Sequence, residues 1–206
     1  MAQLKKKLKQ VQSESGFTLI ELLTTIFIMV MITSIALIDY RAAEKRKSVR
    51  LAGDVVITAI RNVQTYTLSG RQISSTSVKS FDNTSQPNCP SGSRTSAEYR
   101  IIFTELTSDY YVYGTDVCGD IWRVEQGVLP KNTKFTANGL IVDTNARPDL
   151  QLKFVPPFAK ITYNQTATLS ALTYLDFRNA NITVGYIDDS ITMPIEVDAI
   201  SGKIGD

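Results

Sequence analysis

Residues 17–38 read FTLIELLTTIFIMVMITSIALI, a run of 22 in which 16 side chains are apolar and one, Glu21, is charged. As a helix this run is about 33 Å long at 1.5 Å per residue, enough to cross a hydrocarbon layer of about 30 Å. The segment before it is basic: Lys5, Lys6, Lys7 and Lys9 against Glu14 give residues 1–16 a net charge of +3. The whole chain of 206 residues carries only +2, so everything after the leader is close to neutral. The apolar run exceeds the 7–15 residues of a secretory signal, and no Ala-x-Ala follows it before Asp39, so a membrane span is expected rather than an ordinary cleaved signal. Charge does not orient that span, because Arg41, Lys45, Arg46, Lys47 and Arg50 follow it as closely as the four lysines precede it.

Beyond the run, Val49, Ala52, Val56, Ala59, Ile60, Val63 and Tyr66 recur at steps of three and four, one apolar stripe on an amphipathic helix. No proline interrupts residues 17–68, and Ser69-Gly70 offers a stop, so one continuous helix of about 50 residues is expected, the first half spanning and the second packing. Residues 71–96, rich in Ser, Thr, Asn and Pro, read as a long loop. The remainder reads as strands: EYRIIFTEL, DYYVYGTD, IWRVEQ, TKFTA, LIVDT, LQLKFVP, KITYNQ, LTYLDF, NITVGYI and a closing ITMPIEVDAISGKIG. One long helix followed by strands alone predicts an α+β fold, with an antiparallel sheet burying one face against the stripe. The expected organisation is a leader at 1–16, a span at 17–38, an amphipathic extension at 39–69 and a β-rich domain at 70–206.

The chain has no histidine, which removes Ser-His-Asp and Cys-His activation and imidazole-ligated metals. No pair of acids has a context that points to carboxylate catalysis, so no enzymatic activity, cofactor or metal is expected. Asp188-Asp189 and Asp198 lack the alternating spacing of a calcium loop and read as turn residues. Tyr110, Tyr111 and Tyr113 with Trp122 read as strand residues divided between core and surface. Lys131, Lys134, Arg147, Lys153 and Lys160 are the one regional concentration of basic residues after Asp39, where acids and bases balance, so DNA is not an expected partner. The two cysteines, Cys89 and Cys118, form a bridge if the domain is exported, closing about 30 residues and stabilising by roughly 3–4 kcal/mol; in a reducing compartment they stay as thiols.

The junction Gly16-Phe17-Thr18-Leu19-Ile20-Glu21 resembles the class III signal of type IV prepilins and the pseudopilins of type II secretion. That resemblance covers the first 40 residues and implies a type IV pilin-like fold. It further implies cleavage between Gly16 and Phe17 by a prepilin peptidase on the cytoplasmic side, N-methylation of Phe17, and a role for Glu21 in assembly. The partners it implies are the peptidase, other pilin or pseudopilin subunits, an inner-membrane assembly platform, and membrane lipid before assembly. The location it implies is the cytoplasmic membrane, with the C-terminal domain outside, then a filament. Physically, a carboxylate one turn into a span costs roughly 2.5–3.5 kcal/mol unless compensated, and the amine released on Phe17, of the same or a neighbouring chain, is the expected partner. Many major pilins have a proline near the end of the span; here there is none before Pro87. Leu152 to Pro156, and Pro194 to Asp198 followed by Ser201-Gly202-Lys203-Ile204, resemble the phenylalanine-proline strand and terminal hairpin of H-type minor pseudopilins and related minor pilins. The competing expectation is a monomeric, membrane-anchored binding module that keeps its leader.

Overall fold

The computed structural model describes residues 17–73, 77–81, 96–156, 160–164, 174–199 and 202–205. Its contacts divide the chain into two compact units, residues 1–43 and 44–206. A single helix, α1 (Leu19–Leu68), runs through 50 residues. It begins where Thr18 and Glu21 bond reciprocally: the Glu21 N–H donates to Thr18 Oγ1 at 3.3 Å, and the Thr18 N–H donates to Glu21 Oε2 at 3.0 Å. This is a capping box, which satisfies two helix-terminal donors at once. The helix ends at Gly70, whose φ of 60° lets the Arg71 N–H reach back to the Tyr66 carbonyl at 3.1 Å and the Gly70 N–H to that of Thr67 at 3.4 Å. That pair of bonds is the Schellman arrangement, and glycine adopts its left-handed residue without strain.

In the first unit every apolar side chain from Phe17 to Tyr40 that is large is exposed, including Ile26, Phe27, Met29 and Ile35. The polar residues of the same stretch are turned inward on the backbone. Thr24 donates to the Glu21 carbonyl at 3.0 Å, Thr25 to Leu22 at 2.9 Å and Ser34 to Val30 at 2.8 Å, and Thr33 donates to the Met29 carbonyl. A hydroxyl that bonds its own helix leaves no donor needing water, which is the condition for life in hydrocarbon. By length and composition this is a helix able to cross a membrane.

In the second unit the stripe of α1 is buried as expected at Val49, Ala52, Val56, Ala59, Ile60 and Val63. Two positions differ. Thr67 is buried because its hydroxyl is satisfied by the Val63 carbonyl at 2.9 Å, and Tyr66 is left half-buried with its ring 5.9 Å from that of Tyr99. Gly53 is buried where Met193 Sδ would lie 2.6 Å from an added Cβ, so the helix has no room there for a side chain unless Met193 moves.

The strands are β1 (Val78–Phe81), β2 (Ser96–Thr104), β3 (Asp109–Asp116), β4 (Ile121–Val128), β5 (Thr133–Val142), β6 (Asn145–Ala146), β7 (Asp149–Val155), β8 (Lys160–Asn164), β9 (Tyr174–Leu175), β10 (Asn179–Tyr186), β11 (Thr192–Asp198) and β12 (Ile204–Gly205). They form two sheets, a seven-stranded one in the order β1-β4-β3-β2-β7-β8-β9 and a five-stranded one in the order β12-β11-β10-β5-β6. All pairings are antiparallel. Ile101 sits between Val112 of β3 and Leu152 of β7, and all three belong to one core that also holds Ile60, Phe135 and Ile182. Both sheets therefore share their apolar faces with the second half of α1, as an α+β fold requires.

Three expectations are corrected. TKFTA and LIVDT form one strand, β5, bent by a bulge at Asn138, whose φ is 53°. Between the pairs Leu140–Ile182 and Phe135–Val184, β5 carries three more residues than β10, an odd number, so that Phe135 and Leu140, of opposite parity, both reach the core. The expected loop 71–96 contains β1, a short edge strand pairing with β4, too brief to show a period. Of LTYLDF, the described part is strand only at Tyr174–Leu175, and Phe177 is core without being in a strand.

Candidate functional site

The residues singled out at the N-terminal junction stand as follows. Gly16 lies outside the described residues. Phe17 is 82 % exposed, directly before the capping Thr18. Glu21 is exposed, and its carboxylate accepts both the N–H and the hydroxyl of Thr18 at 3.0 Å. The expected partner, the Phe17 amine, exists only after cleavage; in the intact chain Thr18 takes its place. The signal for this was in the sequence, since Thr-x-x-Glu before an apolar run is a capping-box pattern. The box fixes the carboxylate on the first turn of the helix, beside residue 17.

Cys118 is buried in the β3–β4 turn and disulfide-bonded, and its expected partner Cys89 lies outside the described residues. The turn that carries Cys118 is organised by Asp116, only 4 % exposed. Its carboxylate accepts the N–H groups of Cys118 and Asp120, both at 2.9 Å, and Trp122 Nε1–H at 3.0 Å. Three donors on one buried carboxylate hold the hairpin in place.

Tyr110 packs into the core 6.1 Å from the Phe103 ring, whereas Tyr111 and Tyr113 stay half-buried beside each other, the division expected from strand alternation. Burial pushes the Tyr110 and Tyr113 hydroxyls above the ordinary tyrosine value. Asp188 and Asp189 are turn residues: Asp188 pairs with Lys45 at 2.6 Å and accepts from Ser190, while Asp189 pairs with Lys134 at 3.0 Å. Hydrogen bonds from Lys45 and Ser190 hold the Asp188 carboxyl far below its ordinary value. Among the described residues no group of acids, cysteines or histidines could hold a metal ion. Of the five regional basic residues, Lys134, Lys153 and Lys160 are ion-paired, with Asp189, Glu98 and Asp176.

One polar cluster was not anticipated. On β2, Glu98 and Arg100 lie two residues apart on the same face, with Lys153 of β7 directly across from Arg100. Glu98 Oε1 accepts Arg100 Nε–H at 2.9 Å, and Lys153 pairs with Glu98 Oε2. Burial disfavours the Glu98 charge, but the two cations outweigh it and hold its carboxyl below the ordinary value. Charges at alternate positions in the apolar strand EYRIIFTEL were its trace in the sequence. A recess of about 440 Å³ on the five-stranded sheet is lined by Asp143, Arg178, Asn181 and Glu196, and there Asp143 is held by the N–H groups of Arg178 and Asn179, each at 3.0 Å.

The fold and the junction together define a chain with one helix of membrane-crossing length and a C-terminal domain of antiparallel sheets. Comparison with protein-family models, curated proteins and solved structures gives no match.

Proposed function

We propose that this chain is a non-enzymatic structural subunit of a type IV pilin-like filament, either a pilus or a type II secretion pseudopilus. In this reading a prepilin peptidase removes residues 1–16, Phe17 is N-methylated, and the apolar half of α1 passes from the inner membrane into the filament through an assembly platform. The observation that carries it is the placement of Glu21, the one charge in the span, held by a capping box one turn from the Gly16-Phe17 junction. An insertion-costly carboxylate makes sense where a new cation will appear beside it. The self-bonded hydroxyls and exposed apolar surface of the first half of α1 support a segment that finds its partners in lipid or in other helices. The closing β11–β12 hairpin and the buried Phe154 of the strand before Pro156 support the H-type minor branch.

Intact mass of the protein recovered from native membranes tests the reading: loss of residues 1–16 plus one methyl group is expected, and Gly16→Ala should retain the leader. A Gly16→Ala protein with the same trimmed mass as the wild type would end it. Glu21→Ala is expected to be trimmed normally yet to be depleted from filaments; normal incorporation would remove the pairing role of Glu21.

A further inference from the structure

Three contacts within the 44–206 unit lay the end of the five-stranded sheet along α1, at helix positions 45, 53 and 61, each step of eight residues being about 12 Å of rise. At the first, Lys45 pairs with Asp188 of the β10–β11 turn at 2.6 Å. At the last, Arg61 Nη2–H donates to the Ile204 carbonyl of β12 at 3.3 Å. The middle contact is apolar, Gly53 against Met193 of β11. The Met193 sulfur lies 2.6 Å, its terminal methyl 3.0 Å and its Cγ 3.7 Å from where a Cβ on Gly53 would stand. A thioether therefore fills the gap that the missing side chain leaves on the helix.

Glycine is a poor helix former, yet Gly53 is buried in the stripe between Ala52 and Val56. Its use there is steric, because Met193 rests on the helix backbone itself. The strand holds Met193 in that place: it pairs with the fully buried Val184 of β10, and Ile195 and Val197, at alternate positions beyond it, are fully buried too. Met193 itself, one residue into β11, is only half-buried, which leaves it open to a small solute. It is also the one methionine of residues 44–206, since Met29 and Met31 belong to the apolar run. Thioethers are oxidised to sulfoxides, which are polar and larger by one oxygen. Beside Gly53 such an oxygen meets a helix whose N–H groups already bond their own carbonyls, and a polar atom without a donor is costly to bury.

We propose that Met193 is a site of oxidative modification, and that its conversion to the sulfoxide by a peroxide unseats β11 from α1. In that step the sulfur lone pair attacks one oxygen of hydrogen peroxide, the S–O bond forms and the O–O bond breaks. The departing hydroxide takes the proton of the transferred hydroxyl and leaves as water, so the sulfur is oxidised and the peroxide reduced. The new oxygen has no room over Gly53, and β11 must move away from the helix to make it. The loss falls on the middle contact of the three, while the Lys45–Asp188 and Arg61–Ile204 contacts on either side keep the sheet nearby. Reduction of the sulfoxide restores the seat. This inference concerns the 44–206 unit alone and does not rest on the filament reading.

The full-length, detergent-solubilised chain is treated with hydrogen peroxide, and peptide mass spectrometry reads the gain of one oxygen at Met193, Met29 and Met31 separately. The expected result is oxidation at Met193, a thermal midpoint lower by at least about 2–4 °C, and amide exchange at Ile195 and Val197 faster by at least about tenfold. Met193→Leu, which keeps an apolar side chain of similar volume, should hold its midpoint and its exchange through the same treatment although Met29 and Met31 are oxidised. Met193→Gln, which puts a polar group there without oxidant, should exchange faster at Ile195 and Val197 before any treatment. Once a methionine sulfoxide reductase has returned the mass at Met193 to that of the thioether, the midpoint should return with it. A Met193 that stays unmodified while Met29 and Met31 gain oxygen overturns the site. Oxidation at Met193 with unchanged midpoint and exchange overturns the unseating, and an equal loss in Met193→Leu assigns the effect to other residues and overturns it as well.

Discussion

The two halves of α1 are built from one uninterrupted helix yet solve opposite problems. Residues 19–40 expose their aliphatic side chains all round and fold their hydroxyls back onto their own carbonyls. Residues 49–67 are polar on one side and hide a single stripe, Val49 through Val63 and then Thr67, in a core shared with two sheets. The lesson is that helix formation here is decided by spacing and capping, whereas what the helix does is decided by how apolar residues are distributed around it. Among the described residues the first half has no intramolecular partner for its apolar surface; the second hides its stripe and turns its other side to solvent.

That contrast can be broken most forcefully in the buried half. Ile60→Ala removes a fully buried side chain and should cost about 2–5 kcal/mol, seen as a lower midpoint in chemical denaturation of the detergent-solubilised chain. Ile28→Ala, in the exposed half, should change it by no more than about 0.5 kcal/mol. Equal effects would mean that the halves are not distinct.

A next smaller effect tests whether polar burial also belongs to the second unit. Glu98→Gln leaves Arg100 and Lys153 without the carboxylate between them and should cost about 3 kcal/mol at neutral pH. Because the folded Glu98 carboxyl lies below its ordinary value of 4.5, the wild type should lose this contribution as pH falls from about that value through the lowered one. In Glu98→Gln that part of the acid-side loss should vanish, as measured by thermal midpoints across the acid range; an unchanged pH profile would count against the cluster's role.

The smallest effect belongs to the helix start. Thr18→Ala removes the hydroxyl that accepts the Glu21 N–H, leaving only the backbone half of the capping box, and should cost about 1 kcal/mol locally, read as faster amide exchange at Leu19 to Leu22, with the stability of the 44–206 unit unaltered. Protection at Leu19 to Leu22 unchanged from the wild type would show that the box contributes nothing to the helix end.

How far the sequence could be read follows the range of the forces involved. The apolar run, the stripe and the stop at Gly70 are set by residues within a few positions of one another, so they were legible. The capping box is equally local, a Thr-x-x-Glu pattern at Thr18 and Glu21, and it gives the carboxylate a partner in the intact chain other than the Phe17 amine. The bulge at Asn138 was misread as a break because Asn-Gly signals a turn and a bulge alike, and the choice rests on the strand β10 opposite.

By itself, then, the sequence determined one long helix with a membrane-length apolar half, an amphipathic half, and an antiparallel β-rich remainder, since period and composition are properties of neighbours along the chain. Only the tertiary structure decided that the strands divide into two sheets, that β7 inserts beside β2 while β5 leaves for the other sheet, and that Glu98, Arg100 and Lys153 meet. It also decided that the β2–β3 turn, the β4–β5 loop and the β10–β11 turn meet, through backbone bonds such as that of the Ile187 N–H to the Asn132 carbonyl, 55 residues apart in the chain. Such pairings depend on which register lets both sheets bury the same core, and no local pattern carries that information.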